Sequence, residues 1–152
     1  MSDKLDTQPV LQVEGLVKHF PIHGGLLQRR IGEVRAVDGV SFSIRRGETL
    51  GLVGESGCGK STIGKVVLKL IEPTAGLIAL GGEDITHLKP GAMWPYRRRI
   101  QTIFQDPYSS MNPRLPSGTI VGEPLENFGI ARGAARDERV AQLFRRVGLR
   151  PE

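Results

Sequence analysis

Residues 47–70 read GETLGLVGESGCGKSTIGKVVLKL, and the fold turns on how they are read. TLGLVGE, residues 49–55, is a short apolar run without alternation, the pattern of a strand covered on both faces in a mostly parallel sheet. Further on, Ile63, Val66, Val67, Leu70 and Ile71 recur at helical spacing until EPTAG, whose proline and glycine stop the helix. Between the two, four glycines fall within residues 51–59. A backbone that coils with its N–H groups turned inward needs dihedral angles that a side chain obstructs, which is why glycine crowds there.

Gly54, Glu55, Ser56, Gly57, Cys58, Gly59, Lys60 and Ser61 match the pattern G-x-x-x-x-G-K-[ST], placed between an expected strand and an expected helix as a phosphate-binding loop requires. A helix starting near Lys60 adds unpaired N–H groups and the positive end of its dipole. Lys60 is expected to reach the β- and γ-phosphates of a nucleotide, the Ser61 hydroxyl to bind Mg²⁺, and Thr62 to contact the α-phosphate region. A tight turn without a ligand would explain the glycines but not the Lys-Ser pair that follows them. A dinucleotide fingerprint would need glycine at position 62, where Thr62 stands. Cys58 serves the loop through its backbone, and no histidine lies near it in sequence to make it a nucleophile.

The 152 residues, 39% hydrophobic, suit one domain with a real core. No run approaches the roughly 18 apolar residues of a membrane-spanning helix, and the first twenty residues contain acids and alternation, unlike a secretory leader. The single cysteine excludes an internal disulfide framework and fits a reducing compartment. With 21 Lys and Arg against 16 Asp and Glu the formal charge is +5. The cations sit in small scattered groups without interleaved aromatics, so no nucleic-acid partner is expected.

Working outward from the loop, VLQVEGLVKHF alternates at Leu11 and Val13 and resumes at Leu16 after Gly15, as an edge strand would. PIHGGLLQRRIGE reads as an exposed excursion. AVDGVSFSI is a strand with Val40, Phe42 and Ile44 on one face. LIAL, residues 77–80, is another short strand, and GGED its turn. Pro95 in GAMWPYRRR implies a broken or short helix. IQTIF, residues 100–104, reads as a further strand, and QDPYSSMNPRLPSG as a long polar loop. Val140, Leu143, Phe144 and Val147 form the apolar stripe of a last helix, with Gly148 as its C-cap.

AVDGVSFSIRRGETLGLVGESGCGKST, followed by RRRIQTIFQDPYSSMNPR, resembles the ATP-binding subunit of ABC transporters, particularly the importers of dipeptides and oligopeptides. The likeness runs from about Val10 to Glu152. VGESGCGKST and the glutamine loop carry the general resemblance. QDPYSSMNPR, GEPL at residues 122–125 and HFPIHGGLLQRR carry the narrower one. It implies an α/β phosphate-loop NTPase fold: antiparallel β subdomain strands over residues 10–50, the phosphate-loop core through the glutamine loop over 51–105, and the start of a helical subdomain over 106–152.

The resemblance further implies that Phe20 stacks on adenine, with a strand-end core aromatic as the alternative. Gln105 would touch Mg²⁺ and the neighbourhood of the attacking water, with an ordinary polar residue after a strand as its alternative. Lys60 and Gln105 are thus the expected catalytic pair, Ser61 and Gln105 the metal contacts, and ATP and Mg²⁺ the ligands. The loop containing Asp106, Pro107, Tyr108 and Asn112 resembles the face where a transmembrane subunit docks. Leu115, Pro116 and Ser117 depart there from the family's usual Met-Thr-Val. Trp94, His23 and His87 receive no role, and Trp94 reads as a packing residue. Implied partners are the transmembrane subunits and a second ATP-binding subunit, in a homo- or heterodimer peripheral to the cytoplasmic face of the membrane.

Hydrolysis in this family needs an acidic strand ending in Asp-Glu and an LSGGQ signature, and neither occurs here. Glu83 and Asp84 follow Gly81 and Gly82 and belong to a turn, and Ser117-Gly118 is a two-residue echo of the signature. The expectation is an amino-terminal portion that binds nucleotide at most, whose TLGLVGE strand has an unpaired edge and loses part of its burial. It is also expected to be marginally folded alone or to associate. A non-catalytic remnant that binds nucleotide or a membrane subunit, and a stand-alone phosphate-loop kinase with Arg97 to Arg99 as its lid, are the alternatives.

Overall fold

The computed structural model describes residues 8–25, 29–106 and 111–151. They divide into two compact units, residues 1–101 and 102–152.

The first unit is built on a four-stranded antiparallel sheet ordered β2-β1-β3-β4, with β1 at Leu11–Gly24, β2 at Arg29–Ile44, β3 at Ala75–Leu80 and β4 at Glu83–Asp84. β1 is therefore an inner strand, paired with β2 and with β3, and not the edge strand its alternation suggested. The ribbon of β1 and β2 also continues through Pro21 and Gly24 on one side and Arg29 and Gly32 on the other, so most of the expected excursion is paired backbone. Turn-forming residues at those positions masked a two-residue periodicity that the cross-strand hydrogen bonds sustain.

Register explains the break in the apolar alternation of β1. Val13 pairs with Phe42 and Leu16 with Val40, so the intervening residues bulge, and Gly15 adopts a φ of 54° there. The bulge returns Leu16 to the face that Val13 occupies, and both are buried. Val40, Phe42 and Ile44 do share one half-buried face of β2, between the exposed Ser41 and Ser43.

Helix α1, Lys60–Val67, lays Ile63, Val66 and Val67 on this sheet, where they join Val13, Leu16, Val37, Ile78, Leu80, Ile85 and Met93 in one core. Burying a side chain of this size contributes roughly 1.5–3 kcal/mol, so the cluster is the unit's main source of stability. α1 stops earlier than its apolar pattern: Lys69 takes a φ of 53°, and the Leu70 and Ile71 amides both turn back to the Lys65 carbonyl. Arg97 closes the end, donating to the carbonyls of Leu68 at 2.6 Å and Lys69 at 3.2 Å. The Lys69 side chain is 1% exposed, with its ammonium donating to the Thr86 carbonyl and Glu72. Pro90–Met93 forms α2, one turn long, and Trp94–Arg98 a 3₁₀ turn, the broken helix that Pro95 implied. Trp94 is half exposed rather than packed inside.

Two expected strands are absent. Residues 48–55 and 100–104 join no sheet; Leu50 and Leu52 are exposed, and Val53 is 95% exposed. Ile103, in the second unit, is 97% exposed. An apolar run becomes a buried strand only where neighbours supply hydrogen bonds and cover, and among the described residues none do. The expected strand with one unpaired edge and partial burial over 49–55 is therefore not formed.

The second unit contains α3, Ser117–Asn127, and α4, Gly133–Arg146. α3 falls partly within the expected polar loop and was hidden by Pro124 inside it. α4 buries Val140, half-buries Leu143 and Phe144, and ends at Arg146 with the exposed Val147 as its C-cap, one residue before the expected Gly148, which takes a φ of 77°.

Candidate phosphate-binding site

Gly59 is the N-cap of α1, with φ 95° and ψ 0°. A Cβ there would stand 2.1 Å from the Ala36 carbonyl oxygen, and the dihedral itself disfavours any side chain. The loop is therefore pressed against β2 as closely as bare backbone permits. The Ile63 amide begins the helical ladder by donating to the Gly59 carbonyl at 2.9 Å. Among the described residues no side chain caps the first turn, which leaves its amides as donors beside the positive end of the helix.

Lys60 folds back over the loop. Its ammonium donates to the carbonyl oxygens of Gly54 at 2.7 Å and Glu55 at 2.6 Å and lies 3.4 Å from the Cys58 sulfur. These contacts hold a cation at the mouth of the loop without neutralising it, since no carboxylate is among them. Cys58 is exposed, and its thiol belongs to the loop's own packing.

A hollow of about 300 Å³ opens here, with Ser56, Lys60, Ser61 and Thr62 on one side and Val34, Arg35 and Ala36 of β2 on the other. The β2 wall was not assigned to the site in the sequence, because Val34 and Arg35 fell between the excursion and the expected strand that begins at Ala36. A hollow of about 620 Å³ in the second unit is larger, but its Arg136 is tied to Glu126 at 2.9 Å and Asp137 at 2.6 Å. A polyanion gains most where cation and amides are not already matched by carboxylates, which favours the loop.

Phe20 lies opposite Val34 in the β1–β2 register, 38% exposed, with the Lys18 ammonium 4.9 Å from its ring centre. It is not a core aromatic, and it stands one strand away from the lining of the hollow. His19, beside it, bridges Glu33 at 3.4 Å and Asp38 at 3.3 Å. Burial pushes the Glu33 carboxyl up, but His19, Arg30 and Arg35 around it hold it below the usual carboxylate range.

Gln105 belongs to the second unit and is exposed there. Asp106 and Asn112 are exposed as well; Asn112 receives the Arg114 amide at 3.0 Å, and Pro107 and Tyr108 lie outside the described residues. No cluster of three or more acidic, histidine or cysteine side chains suited to a metal occurs among the described residues. A cation would have to be shared with the ligand's own phosphates, as the Ser61 hydroxyl in the first turn of α1 suits. Glycine pressed on backbone, unpaired first-turn amides and an un-neutralised ammonium in one hollow together fit a phosphate chain.

Glycine cradle, Lys-Ser and helix follow one another as in a phosphate-binding loop, although the run that precedes them joins no sheet. The chain belongs to the ABC transporter family, which it matches over residues 37–152. It is 48% identical over its whole length to the probable peptide ABC transporter ATP-binding protein y4tS of Sinorhizobium fredii, covering 42% of that protein. It is 50% identical over 148 residues to the glutathione import ATP-binding protein GsiA of Escherichia coli K12, covering 97% of this chain and 24% of GsiA. With the oligopeptide transport ATP-binding protein AppF of Bacillus subtilis it shares 46% over 145 residues, 95% of this chain and 44% of AppF. The chain thus spans less than half the length of these relatives.

Among solved structures, the dimeric ATP-binding cassette MJ0796 bound to ADP and Pi superposes with a TM-score of 0.68 at 22% identity, over 89% of this chain and 56% of that one. A nucleotide-free ATP-binding cassette from an ABC transporter superposes with a TM-score of 0.62 at 26% identity, over 91% and 52%. The fold is that of the ABC ATPase cassette.

Proposed function

We propose that this chain is the nucleotide-binding portion of the ATP-binding subunit of a peptide importer. The observation that carries the proposal is the Lys60 ammonium and the first-turn amides of α1 gathered around one hollow against β2. ATP would lay its β- and γ-phosphates on the loop of residues 54–61. Lys60 would exchange part of its carbonyl contacts for phosphate oxygens, and Thr62 would contact the α-phosphate region. Phe20 would stack on the adenine, which the exposure of its ring and its place opposite Val34 support. Ser61 and Gln105 would hold Mg²⁺, which supplies charge neutralisation on the phosphates.

In the whole subunit, the same residues would stabilise the charge that builds as the γ-phosphoryl group passes to water, with a second ATP-binding subunit closing the site. Transmembrane subunits would use that closure to move di- or oligopeptides, with this chain peripheral at the cytoplasmic face. Among the described residues no helix is long and apolar enough to cross a membrane, which agrees with a peripheral place. Arg97 and Arg99 weigh against a kinase lid: Arg97 holds the end of α1, and Arg99 pairs with Glu83 at 3.5 Å.

Equilibrium dialysis with labelled ATP and Mg²⁺ tests the proposal. The 152-residue chain should retain ATP, and Lys60→Ala should lose most of that retention, with negligible phosphate release in either. Equal retention by the two would refute the site. Phosphate release that is stimulated by Mg²⁺ and lost in Lys60→Ala would refute the expected inactivity.

A further inference from the structure

The β2 wall of the hollow contains a cation to which the phosphate-loop pattern gives no part. In the β1–β2 ribbon Lys18 pairs with Val37 and His19 with Arg35, so Ala36 is an extra residue on β2. Such bulges bend the strand and re-aim the neighbouring side chains. This one abuts the loop, because the Ala36 carbonyl is the atom that leaves Gly59 no room for a Cβ. Val34, Arg35 and Ala36 all line the hollow, although strict alternation would send Arg35 to the opposite face from its neighbours.

We propose that Arg35 is a second phosphate-binding cation, facing Lys60 across the hollow and contacting the phosphate chain of the bound nucleotide. This rests on the phosphate-loop reading and adds a residue to it.

The present partners of Arg35 leave it available. Its side chain is 64% exposed, with Nε 3.3 Å from Glu33 and a terminal nitrogen 3.8 Å from Asp38, long distances for a guanidinium on carboxylates. Both carboxylates have other neighbours: Glu33 is also paired with Arg30 and lies 3.4 Å from His19, and Asp38 lies 3.3 Å from His19. Arg35 can turn toward a phosphate without leaving either acid unpartnered. A guanidinium offers planar paired donors that match two phosphate oxygens, which a second lysine would not.

The test uses the full chain and two probes, inorganic tripolyphosphate and adenosine, each competing with a fluorescent ATP analogue. Arg35→Ala should weaken tripolyphosphate and ATP roughly tenfold while leaving adenosine unchanged, the scale of one charge-assisted hydrogen bond. Arg35→Lys should recover part of the loss. Should Arg35→Ala fold poorly by circular dichroism, Arg35→Gln keeps the stem and decides the same question. Wild-type affinity for tripolyphosphate in the folded Arg35 variant, with Lys60→Ala already defective, would overturn this inference and leave the phosphate loop standing. Weakened adenosine binding in parallel with tripolyphosphate would also overturn it, because the contact would then not be to phosphate. Failure of the wild-type chain to bind either ATP or tripolyphosphate would overturn the phosphate-loop reading itself.

Discussion

Two groups of apolar residues in the first unit differ in fate. On β1 and β3, Val13, Leu16 and Ile78 are 1%, 0% and 0% exposed, whereas Val53, on the approach to the phosphate loop, is 95% exposed. Both read as strands. β1 has β2 on one side, β3 on the other and α1 across its face, while residues 48–55 have no sheet partner among those described. Ordering a backbone costs about 1–2 kcal/mol per residue, and only hydrogen bonding and burial from neighbours offset it. Hydrophobicity nominates a strand; its neighbours make it one.

Amide exchange should display that contrast most strongly. The amides of Val13, Leu16, Ile78 and Leu80 should exchange only through global opening, and those of Leu50, Leu52 and Val53 near the rate of an unstructured peptide. Comparable protection in the two sets would mean that 48–55 is covered in solution, through association for example, and concentration dependence of the slow set would reveal it.

Core substitution comes next in size. Leu16→Ala should cost about 3 kcal/mol in a denaturant melt, as expected of a fully buried leucine, whereas Leu52→Ala should stay within about 0.5 kcal/mol. Similar costs at the two positions would erase the distinction between the regions.

Lys69 sharpens the comparison from the polar side. Lys69→Met retains the buried stem but removes the donor from the Thr86 carbonyl, and should cost about 1–3 kcal/mol. An unchanged melting midpoint would show that the buried ammonium contributes nothing to anchoring the end of α1.

How much of this was legible in advance varied with the range of the interactions. The phosphate loop, the start of α1 at Lys60, strand β3 and the broken helix at Pro95 depend on local chemistry, and residues close in sequence announce them. The inner position of β1 and the bulge at Ala36 depend on partners 15 or more residues away, and the ribbon through residues 21–33, though its partners are nearer in sequence, is made of residues that resemble a loop. α3 escaped because Pro124 is an ordinary helix breaker, yet its missing N–H is tolerated between Ser117 and Asn127. The β2 wall of the candidate site followed the ribbon out of view.

The smallest effect expected is a pH dependence at the end of β4, where Asp84 pairs with Ala79 of β3 and does not lie in a turn as its sequence suggested. Hydrogen bonds from the Thr86 hydroxyl, then from its backbone amide, hold the Asp84 carboxyl below its ordinary range, with burial opposing them. A depressed folded-state pKa stabilises the protein above the unfolded value and is lost as pH falls through the folded one, so the loss belongs below about pH 4. Asp84→Asn should flatten the fall in urea midpoint over that window and change little at pH 7. An unaltered acid limb would assign the loss to other groups.

The central claim is that bare backbone around Gly59, with Lys60 above it, receives a phosphate chain. Backbone amide chemical shifts recorded while MgATP is added to the isotopically labelled chain test it most directly. The account predicts the largest displacements at Gly57, Gly59, Lys60, Ser61 and Thr62, with smaller ones at Val34 and Arg35. Displacements concentrated instead at Ser117, Arg136 and Val140 around the larger hollow, or none anywhere, would contradict it.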